Sequence, residues 1–208
     1  EFRLNTYTPN WQYSPSAAPL ADGGFWAVWQ SIAQDADESH GVYAQRFDAK
    51  GSKVGSEIHV NAYTANDQYQ PQIASRSDGS FVVVWTSWGQ DGSEYGIYAQ
   101  QFDASGSKIG AEQLVNTVTV GTQLRPSVLA QDNGGYVVTW DAANNQDGND
   151  YGVFSAVWNP IGGFNIQPFK GDSGNNLINQ PNAAAIDGGT GADTMQGGLD
   201  NTVYAVDN

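Results

Sequence analysis

The 208-residue chain contains no cysteine, a single methionine, and only 8 Lys+Arg against 22 Asp+Glu. Each scarcity closes off a class of protein. Without cysteine there are no disulfides, no thiolate chemistry and no cysteine-ligated zinc. The shortage of cations leaves a formal net charge of −14, which repels phosphate backbones and makes nucleic acid a poor partner. No apolar run approaches the roughly 20 residues of a membrane-spanning helix, so no membrane insertion is expected. No window sustains helical periodicity either, so helices should be nearly absent. Disorder is also excluded: with 39% hydrophobic and 12% aromatic residues the chain can bury enough apolar surface to offset the entropy of ordering.

What the chain does have is repetition. Asn5, Asn61 and Asn116 head three matching stretches, and Pro15, Pro71 and Pro126 fall in step with them. Trp29, Trp85 and Trp140 close three strand-like runs, GGFWAVW, GSFVVVW and GGYVVTW. Gln-Asp pairs follow at 34–35, 90–91 and 146–147, and then GVYAQRFD, GIYAQQFD and GVFSAVWN. The units fall at 1–56, 57–111 and 112–165, with a different tail at 166–208. Each unit reads as four short strands: near the Val-Asn head, after the proline, at the tryptophan run and at the YAQ segment. Asp-Gly and Asp-Asn-Gly turns separate them. The tryptophan runs are apolar on both alternating faces, which points to strands covered on both sides, as in stacked blades. The fold expected is therefore all-β, three four-stranded antiparallel units in a propeller- or prism-like arrangement. A cadherin-like β-sandwich is the alternative. Three units are few for a closed propeller, so flanking repeats or self-association would complete the ring.

The tail carries a different period. Gly188-Gly189-Thr190-Gly191-Ala192-Asp193-Thr194-Met195-Gln196 fits the calcium nonapeptide G-G-x-G-x-D-x-U-x without a mismatch. Residues 171–179 are a degenerate copy, and a third begins at Gly197. Glycine carbonyls and the sixth-position aspartate are hard oxygen ligands of the kind calcium takes. Asp193 with Gly188, Gly189 and Gly191 is thus a candidate calcium site.

These motifs resemble a known group of proteins. The unit VNxYTxxxQxxP…DGxFVVVW…QDGxxYGIYAQxFDAxGxKxG is similar to repeats of large secreted RTX-type adhesins. It also resembles the cadherin-like domain of the rhizobial adhering proteins, small extracellular calcium-binding lectins. The resemblance covers about three quarters of the chain, and GGTGADTMQGG resembles the RTX roll of proteins exported by type I secretion. It implies a secreted, calcium-dependent lectin of the cell surface or biofilm matrix. Its partner would be an acidic bacterial exopolysaccharide or capsular polysaccharide. The competing reading is a calcium-stiffened structural segment of a larger adhesin that binds no sugar.

Within the repeats, the loops after the tryptophan strands attract attention. Gln34-Asp35 with Glu38, Gln90-Asp91 with Glu94, and Gln146-Asp147 with Asp150 each place two carboxylates three residues apart. Such pairs can share one cation, and the glutamines can bond sugar hydroxyls; the plain alternative is turn formation. Trp29, Trp85 and Trp140 repeat in phase and read as core, whereas Trp11 and Trp88 do not repeat and are candidate sugar-stacking platforms. Catalysis is set aside at this level. GDSGN at 171–175 matches a serine-protease string, but the upstream His40 and His59 occupy nonequivalent repeat positions and read as ordinary strand or loop residues. The expectation is a protein that is not an enzyme.

Overall fold

A computed structural model describes residues 1–35, 39–143 and 151–159, together with short strands of the C-terminal region. It divides into two compact units, Glu1–Ser155 and Ala156–Asn208. No helix occurs among the described residues.

The first unit is built of antiparallel blades. Blade 1 holds β1 (Gln12–Pro19), β2 (Phe25–Ile32), β3 (His40–Phe47) and β4 (Lys53–His59), paired in that order. Blade 2 repeats it with β5 (Gln68–Ser75), β6 (Phe81–Trp88), β7 (Tyr95–Phe102) and β8 (Lys108–Leu114). Blade 3 continues with β9 (Thr122–Ala130), β10 (Tyr136–Ala143) and the first part of β11 (Tyr151–Asn159), whose residues from Ala156 onward fall in the second unit. The arrangement is all-β and propeller-like, not a two-sheet sandwich: β1 packs on β5 and β5 on β9, so the first strands of the blades line a common axis.

One boundary differs from the sequence reading. The strand placed at each Val-Asn head lies just before it, as the outer strand of the preceding blade. The expected unit borders at 56/57 and 111/112 therefore fall inside β4 and β8.

The tryptophan strands of blades 1 and 2 are buried on both faces because blades stack, whereas β10 of blade 3 alternates buried and half-buried residues. From Phe81 to Ser87 every residue of β6 is buried. Phe81, Val83, Trp85, Tyr98 and Phe102 of blade 2 form one cluster with Trp26, Val28, Val42 and Ala44 of blade 1. At its centre the rings of Trp26 and Phe81 lie 4.6 Å apart. Burying each of these large side chains is worth about 1.5–3 kcal/mol.

The repeated asparagines lock successive blades together. Asn61, fully buried, accepts from the N–H of Val42 at 2.7 Å. It donates to Tyr63 O and Gln68 Oε1, both at 2.9 Å. Asn116 repeats all three bonds with Ile97, Val118 and Gln123. Val60 N and Val115 N still bond Val42 O and Ile97 O as the chain leaves each blade; beyond them the buried asparagine satisfies the backbone groups left over, the N–H of β3 or β7 and a carbonyl of the crossing. The turn aspartates are similarly engaged: Asp48 accepts from the N–H groups of Lys50 and Ser52, and Asp103 from those of Ser105 and Ser107.

The second unit follows a different rule. Here β13 (Phe169–Lys170), β15 (Ala185–Asp187) and β17 (Val203–Ala205) pair in parallel, as do β14 (Leu177–Gln180) and β16 (Thr194–Gly197). A further strand, β12 (Gly163–Asn165), pairs antiparallel with the end of β11. Ile186 pairs with Phe169 on one side and Tyr204 on the other. Those partners stand about two nonapeptides apart, the spacing a nonapeptide β-roll requires.

Candidate functional site

The inner strands share one irregularity. Ser14, Gln70 and Arg125 hold equivalent positions and adopt left-handed backbone angles, φ 52, 52 and 54. Each sits where the register of its strand shifts. A left-handed non-glycine residue costs about 1–3 kcal/mol, and such a bulge re-aims the neighbouring side chains. Side-chain caps hold two of the bulges: Gln30 Oε1 of β2 accepts from Gln70 N at 2.9 Å, and Gln70 Oε1 from Arg125 N at 3.2 Å.

Beside the bulges lies a cavity of about 270 Å³ lined by Tyr13, Ser14, Gln30, Tyr69, Gln70 and Tyr95. A relay of hydrogen bonds runs along its rim. Tyr13 Oη lies 2.8 Å from His40 Nε2, and His40 Nδ1 lies 2.6 Å from Asp67 Oδ1. The same Asp67 oxygen accepts from His40 N at 3.0 Å, and Tyr69 O–H donates to Asp67 Oδ2 at 2.6 Å. Aromatic rings surround it: Tyr69 is 6.1 Å from Tyr95, and Tyr95 meets Trp88 edge to face at 4.5 Å. Trp88 is 38% exposed and Trp11 75%. Trp11 holds the place in blade 1 that Asp67 holds in blade 2, since its carbonyl accepts from Ile32 N as that of Asp67 accepts from Trp88 N.

The electrostatics follow from this packing. Burial by itself would raise the Asp67 carboxyl, but hydrogen bonds from Tyr69 and His40 outweigh it and hold the group below its ordinary range. Burial and the neighbouring Asp67 carboxylate push the Tyr69 phenol upward, and Tyr95 moves the same way. The site thus presents an anion held by donors, neutral phenols, an imidazole and open aromatic faces. Such a set can stack a sugar ring, bond its hydroxyls and hand on a proton.

The residues singled out in the sequence are placed as follows. Trp88 joins this cluster, and Trp11 lies on the run into Tyr13. The Gln-Asp loops serve a different purpose. The Asp35 side chain, 2% exposed, accepts from the Tyr43 hydroxyl and lies 3.3 Å from His59 Nε2. Burial pushes its carboxyl upward, yet His59 and Tyr43 bring it below the ordinary value. It also sits against Gly41, where a Cβ would come within 2.5 Å of Oδ2. Asp91 lies on Gly96 in the same way and accepts from Ser93 N at 3.1 Å. Gln34 donates to Glu57, and Gln90 to Glu112; these glutamates also accept from the N–H groups of Thr6 and Ala62. Glu94 accepts from the Thr122 hydroxyl, so Asp91 and Glu94 turn to different partners. Among the described residues, no group of three or more His, Asp or Glu side chains is arranged to hold a metal ion. Glu38, Gln146, Asp147, Asp150, Gly188, Gly189, Gly191 and Asp193 lie outside the described residues.

His40 is not the ordinary strand residue expected: it is the centre of the relay. Sequence reading also missed Tyr13, Asp67, Tyr69 and Tyr95. The available signal was departure from the repeat at two positions. His40, Tyr95 and Tyr151 are equivalent, as are Trp11, Asp67 and Thr122.

No family model matches this chain, and no curated protein does either. Solved structures share its fold. A protein of unknown function from Dyadobacter fermentans aligns with a TM-score of 0.54 at 11% identity, over 73% of this chain and 52% of its own. An α-L-arabinofuranosidase from Lactobacillus brevis aligns at 0.51 and 12% identity, over 80% and 58%. A Hadza microbial sialidase aligns at 0.51 and 10%, over 76% and 37%. The chain therefore spans little more than half the length of the first two, and less of the third. The last two are enzymes by name, which overturns the expectation that this chain is not one: this fold carries catalysts.

Proposed function

We propose that the chain binds a polysaccharide at the aromatic cleft beside its inner strands. The observation that carries this reading is the convergence of Trp88, Tyr95, Tyr69 and Tyr13 on one hydrogen-bonded polar relay. Sugar sites combine flat apolar faces with a few convergent donors and acceptors. The resemblance to RTX-type adhesins and rhizobial adhering proteins adds the finer terms. On that reading the protein acts outside the cell, after type I secretion, on an acidic exopolysaccharide of the surface or matrix. Calcium at the tail nonapeptide would offset part of the −14 charge that otherwise repels an anionic polymer.

A second reading has its own support. The Tyr13–His40–Asp67 chain places an imidazole between a phenol and a carboxylate, an arrangement suited to proton transfer. Glycoside cleavage on this fold is therefore the alternative.

One experiment addresses both. Polysaccharides are titrated against the protein by tryptophan fluorescence, with calcium and with chelator, while released reducing ends are counted. Trp88→Ala and Tyr95→Ala should each weaken binding by about 5- to 150-fold, since stacking on an aromatic ring is worth roughly 1–3 kcal/mol. Wild-type affinity in both variants would refute the site. Polysaccharide binding to neither wild type nor variant would leave the structural-segment reading, and reducing ends lost in His40→Ala would favour cleavage.

A further inference from the structure

The three positions that build the relay recur at the next blade junction. Between blades 1 and 2 stand Tyr13, His40 and Asp67; between blades 2 and 3 the matching residues are Tyr69, Tyr95 and Thr122. There β5 packs on β9 as β1 packs on β5, so stacking requires neither the histidine nor the aspartate. Their place at the first junction answers to something other than packing.

The geometry supplies a chemical reason. Asp67 Oδ1 accepts from His40 Nδ1 at 2.6 Å and from His40 N at 3.0 Å. A carboxylate partner puts the ring proton on Nδ1, which leaves Nε2 to accept from the Tyr13 hydroxyl at 2.8 Å. A hydroxyl, an imidazole that takes its proton and a carboxylate that orients the imidazole together activate a nucleophile. Tyr13 is 39% exposed and lines cavities of about 270 and 560 Å³, so a ligand can reach it.

A fourth member stands across the strand pair. Gln30 lies opposite Tyr13 in the β1–β2 register, is 1% exposed and lines the smaller cavity. Its Oε1 accepts from Gln70 N, which fixes the amide and leaves Nε2 without a partner among the described residues. A fixed donor of this kind stabilises the oxyanion of acyl transfer. Glycoside cleavage ordinarily takes a pair of carboxyl groups; the relay has one, with both oxygens engaged. The −14 charge disfavours phosphate esters. A neutral carboxylic ester fits all of these constraints.

We propose that the cleft hydrolyses carboxylic esters, with Tyr13 as nucleophile, His40 as general base and acid, Gln30 as oxyanion donor and Asp67 as positioning residue. The inference rests on the polysaccharide reading only in that the ester is an acyl group carried on a sugar hydroxyl. Tyr13 Oη attacks the carbonyl carbon as its proton passes to His40 Nε2, and Gln30 Nε2 donates to the carbonyl oxygen. The bond from the carbonyl carbon to the sugar oxygen then breaks, and His40 gives the proton to that oxygen. Water, losing a proton to His40, attacks the acyl-tyrosine; the carboxylic acid leaves and Tyr13 is reprotonated. The sum is ester plus water giving acid plus alcohol.

The probe is p-nitrophenyl acetate, with p-nitrophenol followed by absorbance and the acid-quenched protein mapped by mass spectrometry. Wild type should turn over the ester and carry an acetyl group on Tyr13. Tyr13→Phe, which keeps the ring, and His40→Ala should each lower turnover by about a hundredfold or more with wild-type circular dichroism. Asp67→Asn should lower kcat about as far while KM stays within about twofold, the split expected of a residue that acts through His40. His59→Gln alters the other histidine of the chain and should change nothing. A polysaccharide that shifts tryptophan fluorescence should raise the KM for the ester. No turnover by wild type, equal turnover by Tyr13→Phe, a loss shared by His59→Gln, or an unchanged KM with polysaccharide bound overturns the proposal. Ester turnover without polysaccharide binding strikes the binding reading and leaves the triad; binding without turnover does the reverse.

Discussion

Replacing Asp67 with asparagine tests the relay at its anchor. The carboxylate accepts three hydrogen bonds: from His40 N at 3.0 Å, from His40 Nδ1 at 2.6 Å and from the Tyr69 hydroxyl at 2.6 Å. Asparagine keeps the shape and one oxygen but turns an amide nitrogen toward one set of donors. A hydrogen bond to a charged group contributes about 1.5–3 kcal/mol. The Asp67 side chain is 35% exposed, so solvent screening removes a good part of that, and the expected loss is about 1–2 kcal/mol at neutral pH. The sign with pH follows from the direction of the shift. Burial raises this carboxyl, but Tyr69 and His40 bring it below its ordinary value of 3.8. The stabilisation is therefore present above pH 3.8 and fades as pH falls through the lower folded-state value. Urea unfolding followed by tryptophan fluorescence across a pH series measures both magnitude and sign. A variant within about 0.5 kcal/mol of wild type at neutral pH, or a gap that widens in acid, would refute the reasoning.

Other outcomes follow from the same geometry. Asn61→Ala strands two buried partners and one half-buried one and should cost about 2–5 kcal/mol, while the half-buried Asn5 should cost about 1 kcal/mol; denaturant midpoints distinguish them. Gly24→Ala would set a Cβ 2.4 Å from the carbonyl oxygen of Phe47, a clash with backbone that should cost about 1–3 kcal/mol in thermal unfolding. The proposed calcium site at the tail nonapeptide, read from the sequence, predicts that calcium raises the melting temperature of the wild type and that Asp193→Ala removes most of that rise; no rise in the wild type, or equal rises in both, would argue against it.

Legibility differed between the repeated and the singular features. Turn chemistry and the two-sided apolar runs are local, so the strands around Trp29, Trp85 and Trp140 could be read directly, as could the change of rule in the tail. The Gln-Asp pairs were visible for the same reason, but their meaning was not. Only folding brings Asp35 onto Gly41 beside Tyr43 and His59, and ties Gln34 to Glu57. A string of acidic and amide residues does not reveal which of them end up buried among donors.

By itself, the sequence determined the period, the all-β character and the propeller-like arrangement of the repeats, because each follows from spacing along the chain. Tertiary structure alone decided the cleft. Its members come from two blades, and they lie where the repeats differ: histidine against tyrosine at 40 and 95, tryptophan against aspartate at 11 and 67. Averaging over repeats erases such positions, while stacking brings Tyr13, His40, Asp67 and Tyr69 to one rim.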